Sequence, residues 1–234
     1  MTAQALAHHT NPAAEIFDTL VRERKSVRAF RPDPVPRELI EHLLELCGQS
    51  ASNCNTQPWR VEIVSGETKA ALSAALWADA QHMQTSADIP YLREHYPEDF
   101  VRRQIDHTQC QYDTYGISRE DMAGRMGILQ RNMNFFGAPH TAMLLMPAFG
   151  NEREAADLGL FAQTFMLALT AHGLASVPQT AVGLFAGPIR RVLGYPDDHQ
   201  LLFAVSFGYE DSGNPEARLE QEREPLTSWV RFHH

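Results

Sequence analysis

Two short polar stretches carry side chains whose types and spacing suit the binding of one kind of small molecule. The first, ASNCNTQPWR at 51–60, holds carboxamides at Asn53, Asn55 and Gln57, two residues apart. If this stretch is extended, all three side chains point to one side. A carboxamide both donates and accepts hydrogen bonds without carrying charge. Three in a row suit a flat heterocycle with alternating donors and acceptors on its rim, rather than a metal or a phosphate.

The second stretch is basic. RERKSVRAF at 22–30 places Arg24, Lys25, Ser26 and Arg28 close together in an otherwise acidic chain. Arg24 and Arg28 face the same side in either a helix or a strand, and Ser26 joins them if the segment is extended. Two guanidinium groups and a hydroxyl at one point make a phosphate site, because arginine binds phosphate oxygens bidentately. A solvated basic face at a helix end is the alternative, and both interpretations stay open on this cluster alone.

A ligand with both a phosphate and a flat, alternately polar ring system is flavin mononucleotide (FMN). Neither a G-x-G-x-x-G nor a Walker-type loop occurs in the chain. The Rossmann and P-loop ways of holding a nucleotide are therefore not supported.

Composition limits the class of protein. The chain has 234 residues, 44% hydrophobic and 21% charged, with a net charge of −9 and a pI near 5.6. An acidic balance argues against nucleic-acid or anionic-membrane binding. We see no secretory signal, and the apolar stretches are too short to cross a bilayer, so we expect a cytoplasmic protein. Three cysteines without C-x-x-C spacing, and histidines such as His8 and His9 outside any ligand cluster, predict no metal site.

Helical and strand patterns interleave along the chain. Helices are predicted in PRELIEHLLELCG, with Leu39, Ile40, Leu43 and Leu46 on one face, in ETKAALSAALWADAQ, in SREDMAGRMGILQRNMNFFG starting at Ser118, and in GPIRRVLG. Strands are predicted in RVEIVSG, TAMLLMP and QLLFAVSFGY. EAADLGLFAQTFMLALTAHG is apolar nearly all round, which places it in the core or at a subunit interface. The fold class is α+β or mixed α/β, and the charged, aperiodic segment 211–234 is an arm rather than a domain.

The two polar stretches also carry a family resemblance. RKSVRAF followed by SNCNTQPW resembles the signature of the nitroreductase family of flavoenzymes, whose usual form is RRSxRxF and then PSxxNxQPW. GAPHTAMLLM, DLGLFAQTFMLALTAHGLASVPQTAV, FAVSFGYED and an N-x3-R-x4-R-x-PL pattern at 214–226 match later parts of the family in the same order. Ala51-Ser52 replaces the family's Pro-Ser. Thr180-Ala181 stands where one branch has Glu-Gly, so the chain resembles the branch with Pro-Gln in that loop.

The resemblance implies a fold and a site. It implies a single α+β domain over 1–234, a three-layer α/β/α sandwich in an intertwined homodimer, with the arm 211–234 wrapping the partner subunit. FMN is then held at the subunit interface. The implied contacts to phosphate and ribityl chain are Arg24, Lys25, Ser26 and Arg28, with Arg223 returning to the phosphate. The other subunit contributes Ser52, Asn53, Asn55 and Gln57, and a loop with Pro178, Gln179, Thr180 and Ala181 brings backbone N–H groups towards flavin N5.

The same resemblance implies the activity. An NAD(P)H-dependent oxidoreductase would pass a hydride from NADH or NADPH to flavin N5 and then reduce a nitroaromatic or similar electron-poor acceptor, in a ping-pong scheme without a side-chain catalyst. The aromatic residues in 91–117 either pack a helical excursion or line the substrate side, for which Tyr112 and Tyr115 are candidates. Another reduction on the same fold (dehalogenation, enone or aldehyde reduction, flavin destruction) and a non-catalytic flavin-binding sensor are the alternatives.

Overall fold

The computed structural model describes residues 11–233, and its architecture is a sheet covered by helices on both faces. His8 and His9 lie outside the described residues. The helices are α1 (Pro12–Glu23), α2 (Arg37–Cys47), α3 (Gly66–Ala80), α4 (Glu98–Tyr115), α5 (Met122–Met133), α6 (Glu152–Ala171), α7 (Thr180–Gly183) and α8 (Ala186–Leu193). The strands are β1 (Arg60–Ser65), β2 (His140–Pro147), β3 (Ala175–Gln179) and β4 (His199–Gly208).

The sheet has the order β1-β2-β4-β3, and all its neighbouring strands are antiparallel. The central pair aligns Thr141 of β2 with Ser206 of β4, and Val177 of β3 lies opposite the same Ser206. All of β2 except its last residue, Pro147, is buried, because both faces of this central strand are covered. A strand covered on both faces needs a continuous apolar run, which is the pattern TAMLLMP predicted.

The core lies on both sides of the sheet. Ala142, Leu144 and Met146 pack on one face with residues of α2 and α6, including Leu43 and Phe165. The residues between them on β2, Met143 and Leu145, pack on the other face with α3 and α8. Because successive side chains of a strand point to opposite faces, this alternation builds three layers. The predicted α+β sandwich is confirmed.

Helix α6 is the long core element. Its N-cap is Asn151, in a capping box with Glu154. Leu158, Phe161 and Phe165 are buried on its sheet-facing side, and each contributes about 1.5–3 kcal/mol from burial. Leu160 on another face of this helix is 50% exposed. The helix therefore has one face in the core and an apolar side chain directed away from it.

Two local predictions were wrong. The helix expected from Ser118 begins at Met122, because Asp121 is itself the N-cap and accepts a hydrogen bond from the Gly124 N–H at 2.9 Å. On α2, Leu46 is 43% exposed and does not belong to the buried face, which holds Ile40, Leu43 and Cys47. Burial raises the pKa of the Cys47 thiol to about 12, which suits an inert core position.

The segment after β4 runs back along the beginning of the chain. Glu210 bridges to Phe30 and Arg218 to Val27, both in antiparallel sense. Further on, Glu224 forms salt bridges with Arg102 and Arg103 of α4. No helix within the described residues 11–233 combines the length and apolar character that a membrane span requires.

Candidate active site

The basic segment lies in extended backbone directly after α1. Arg24 caps that helix, and the following residues join the edge of the sheet: the Val27 N–H donates to the Ser176 carbonyl at 3.0 Å, and the Arg28 N–H to the Ala217 carbonyl at 2.7 Å. The extended alternative is therefore the right one. Arg24, Ser26 and Arg28 alternate along this backbone and are half-buried, while Val27 points into the core.

Arg24 of this segment interacts electrostatically with Arg223 of the C-terminal arm. Burial, and then the positive charge of Arg223, lower the pKa of Arg24. Burial also lowers the pKa of Arg28, against the opposing effect of Tyr115 and Cys110 on α4. Among the residues that the structure describes, no carboxylate forms a salt bridge with Arg24, Arg28 or Arg223. A doubly charged anion would relieve the repulsion between Arg24 and Arg223, so this donor set fits a phosphate.

Lys25 lies on the other side of the basic segment. Its side chain lines a cleft of about 320 Å³ with Glu23, Thr170, Glu210 and Arg218. An extended chain directs Lys25 to the side opposite Arg24 and Ser26. Within one chain, Lys25 is therefore separated from the residues that it was predicted to join.

The carboxamide segment is a turn and not a strand. Asn53–Asn55 forms a single 3-10 turn, and Asn55 and Gln57 have left-handed φ values of 59° and 48°. The Gln57 N–H donates to Ser52 Oγ at 3.0 Å and closes the turn. Expecting the three carboxamides on one side of an extended segment was wrong, because asparagine tolerates left-handed backbone and the segment is held by its own hydrogen bonds. The side chains of Asn53, Asn55 and Gln57 are exposed.

Asp157 anchors this turn to α6, and the sequence reasoning missed it. The Asn53 N–H donates to both Asp157 carboxylate oxygens, at 3.1 and 3.0 Å. Asp157 is only 6% exposed, and Trp59 stacks on Phe161 one turn further along the helix, with ring centroids 5.3 Å apart. The available signal was an acidic residue standing alone in the most apolar stretch of the chain, where a buried carboxylate needs a partner.

The two halves of the predicted site lie towards opposite ends of α6. The carboxamide turn is fixed at Asp157, whereas the cleft beside the basic segment is lined by Thr170. These two positions are about 20 Å apart along the helix, at ~1.5 Å per residue. One chain therefore does not bring the carboxamide turn and the basic segment together.

The Pro-Gln segment is the end of an edge strand rather than a loop. Gln179 ends β3 and is 2% exposed. Its Nε2 donates to the Asn132 carbonyl at 2.8 Å and to Asn132 Oδ1 at 2.9 Å, while its Oε1 accepts from the Ser206 hydroxyl. This inward side chain fixes the point where β3 becomes α7. Pro178 has no N–H to offer, so Thr180 and Ala181, in the first turn of α7, supply the backbone donors without intrahelical acceptors.

The structure separates the two candidate tyrosines. The Tyr115 hydroxyl is buried with no hydrogen-bond partner in the described residues, and the Arg131 guanidinium lies 4.9 Å from its ring centroid. Tyr115 also lies within electrostatic reach of Arg28. Tyr112, almost one turn earlier on α4, lines a groove of about 910 Å³. Tyr115 thus lies within electrostatic range of the basic segment, whereas Tyr112 faces the groove.

Comparison with known proteins gives a consistent result. Residues 21–209 match the model of the Nitroreductase family. The nitroreductase NfnB of Mycolicibacterium smegmatis is 38% identical over 219 residues, 94% of this chain and 93% of that protein. A 4-nitrobenzoate reductase of Pseudomonas putida is 34% identical over 220 residues, 92% of this chain and 95% of that protein. The crystal structure of the FMN-dependent nitroreductase NfnB from Mycobacterium smegmatis in complex with NADPH has a TM-score of 0.91 at 37% identity, covering 95% of this chain and 100% of that one.

Proposed function

This chain belongs to the nitroreductase family, and we propose that it is an FMN-dependent oxidoreductase that uses NADH or NADPH to reduce nitroaromatic or similar electron-poor acceptors. The observation that carries the proposal is that half-buried Arg24 lies within electrostatic range of Arg223, while no carboxylate among the described residues forms a salt bridge with either. The names of its relatives, an FMN-dependent nitroreductase with NADPH and a 4-nitrobenzoate reductase, support the reaction.

The residues present fit FMN. Arg24, Arg28 and Arg223 would hold the phosphate, with the Ser26 hydroxyl as a further donor. Bound FMN supplies the hydride chemistry through its N5. The N–H groups of Thr180 and Ala181 would lie beside the ring, on a chain direction fixed by the buried Gln179 side chain. No side-chain acid or base is assigned, because protons for the acceptor can come from water.

We propose that the working form is a homodimer with shared sites. Crossing the α6 helices of two chains in antiparallel fashion would place the carboxamide turn of one chain, including Ser52 and Asn53, beside the basic segment of the other. Apolar side chains that are exposed in the single chain support such an interface. They are Ile16, Phe17 and Val21 of α1, Leu46 of α2, Leu160 of α6, and Leu226 and Trp229 of the arm.

The arm belongs to the same proposal. Its first part lies along its own chain, up to the salt bridges of Glu224. Beyond that point Leu226 and Trp229 are exposed, and we propose that they pack on the partner subunit. A single domain over 1–234 and a cytoplasmic location stay predictions.

The phosphate assignment is tested by Arg24→Ala, with Arg22→Ala as the matched control. Arg22 is an exposed arginine in the last turn of α1. We expect Arg24→Ala to weaken FMN binding by about tenfold or more, since a charge-assisted hydrogen bond contributes about 1.5–3 kcal/mol, and to leave riboflavin binding unchanged. Equal FMN affinity in the wild type and both variants would show that the phosphate lies elsewhere.

The shared site is tested by complementation. Arg24→Ala and Asn53→Ala chains, each of which we expect to bind FMN weakly, are co-expressed with different tags and the mixed dimer is isolated. If each site takes its basic segment from one chain and its carboxamide turn from the other, one of the two sites is native and FMN content is partly restored. A mixed dimer as poor in FMN as either parent would contradict the shared site.

A further inference from the structure

A wide groove runs along α4, on the side facing the connection between α4 and α5. Its volume is about 910 Å³. Arg93, Arg119 and Arg125 line it together with Tyr91 and Tyr112. The groove thus combines flat aromatic surfaces with three positive charges.

The three arginines lack the partners that neighbouring arginines have. On α4 itself, Arg102 and Arg103 form salt bridges with carboxylates, including Glu224. Within the part of the chain that the structure describes, no carboxylate forms a salt bridge with any of the three groove arginines. The chain has 29 acidic and 20 basic side chains. An excess of carboxylates makes three guanidinium groups without a described carboxylate partner around one opening a notable feature of this groove.

Aromatic and cationic groups are in direct contact at one end of the groove. The Arg125 guanidinium lies 5.8 Å from the ring centroid of Tyr112, and its Nη1 donates to the Arg119 carbonyl at 3.5 Å. At the other end, the Tyr91 hydroxyl accepts from Gln104 Nε2 at 2.8 Å, which orients that ring. Cations beside an aromatic face favour a ligand that offers a ring and a negative charge together.

The groove adjoins the proposed cofactor site through α4. Tyr112 lines the groove, and Tyr115, three residues further on, packs against Arg131, which lines a cleft together with Arg28. His107 also lines the groove, and the charge of Arg28 reaches it. A ligand in the groove would therefore lie next to the basic segment that we assign to FMN.

We propose that this groove binds the anionic group of an aromatic ligand, with Arg119 and Arg125 as the principal charges and Tyr112 as the ring contact. The inference rests on the proposed function, which supplies two sources of such an anion. One is the carboxylate of a nitroaromatic acid, and the other is the 2′-phosphate of NADPH.

Matched ligand pairs distinguish the two sources. 4-Nitrobenzoate and the neutral 4-nitrobenzamide are compared as acceptors, and NADPH and NADH as reductants, with the FMN-loaded wild type and an Arg119→Gln/Arg125→Gln double variant. Arg102→Gln is the control, because it removes a positive charge from α4 outside this groove. For an acceptor carboxylate, kcat/KM for 4-nitrobenzoate falls about tenfold or more in the double variant, while the value for the amide changes less than about twofold.

If the groove binds the 2′-phosphate of NADPH, the double variant instead loses the preference for NADPH over NADH. The ratio of kcat/KM for 4-nitrobenzoate to that for 4-nitrobenzamide is then unchanged. Unchanged ratios for both pairs, in a double variant with normal FMN content, would overturn the inference and leave the proposed function intact. If the double variant fails to fold, the single Arg125→Gln variant takes its place.

A binding measurement separates this inference from the proposed function. Calorimetric titration of the wild type with benzoate and with benzamide needs no turnover. If the groove binds an acceptor carboxylate, benzoate should bind more tightly than benzamide. If it binds the 2′-phosphate of NADPH, 2′-phosphoadenosine should bind more tightly than adenosine in the same titration. Either preference should disappear in the double variant. No preference for either anion would contradict the groove assignment even if nitro reduction proceeds.

Discussion

The anchor between Asp157 and the carboxamide turn makes a quantitative prediction. Asp157 is 6% exposed, and both of its carboxylate oxygens accept from the Asn53 N–H. A hydrogen bond to a charged group contributes about 1.5–3 kcal/mol, and a donor left without its partner adds to the loss. Asp157→Ala should therefore release the turn from α6.

That loss should appear in cofactor affinity if the turn belongs to the flavin site. A released turn occupies its binding geometry for only part of the time, and the apparent dissociation constant rises by the inverse of that fraction. With about 1.4 kcal/mol for each factor of ten, Asp157→Ala should weaken FMN binding by about 10- to 100-fold. Asp157→Asn keeps one acceptor oxygen and should fall between the alanine variant and the wild type.

The assay is fluorescence quenching of FMN titrated with apo-protein, together with urea unfolding. Glu152→Ala is the control, since Glu152 is an exposed acid in the first turn of the same helix. An Asp157→Ala protein that is less stable but binds FMN as tightly as the wild type would refute the link between the anchor and the site. The Glu152→Ala control should bind FMN as tightly as the wild type.

Three further predictions concern the scaffold. Gly183→Ala should lower the melting temperature by several degrees, since an added Cβ would lie 2.6 Å from a backbone carbonyl of β4 and overpacking costs about 1–3 kcal/mol; an unchanged melting curve would show that the strand yields. Ser206→Ala should slow flavin reduction by NADPH and shift the flavin potential, because it leaves the Gln179 amide oxygen unpaired. Ser176→Ala removes a buried hydroxyl with no described partner and should leave both quantities unchanged; equal effects of the two changes would refute a positioning role. Burial, and then the charge of Lys69, lower the pKa of His140 in the folded protein. Below pH 6.5 the unfolded chain therefore protonates this histidine before the folded protein does, and the free energy of unfolding falls. In His140→Gln, the free energy of unfolding should fall less steeply over the same pH range.

Much of the fold could be predicted because its signals are local. Helix α6 and strand β2 are predominantly apolar segments between clear stop signals, and both were predicted. Helix α2 was placed correctly, but Leu46 was wrongly included in its buried face, since positions at the border of an apolar face differ little in periodicity. The start of α5 depended on which of two capping residues, Ser118 or Asp121, closes the first turn, and sequence alone does not decide that.

The site was harder to predict because its geometry depends on distant residues. The position of the carboxamide turn on α6 depends on a hydrogen bond to Asp157, more than a hundred residues away. The inward direction of the Gln179 side chain follows from Asn132 and Ser206. The basic segment was easier to predict, because Arg24 and Arg28 point to the same side in either a helix or a strand. Only the direction of the Ser26 side chain depended on which of the two forms.

The central claim is tested most directly by the absorbance spectrum of the purified, FMN-loaded protein before and after adding NADPH, or NADH, without oxygen. The account predicts a flavin spectrum that bleaches with reductant and returns when a nitroaromatic acceptor is added. A protein that cannot be loaded with FMN would contradict the assigned site. A flavin that binds but is bleached by neither reductant would contradict the oxidoreductase and favour a flavin-binding sensor.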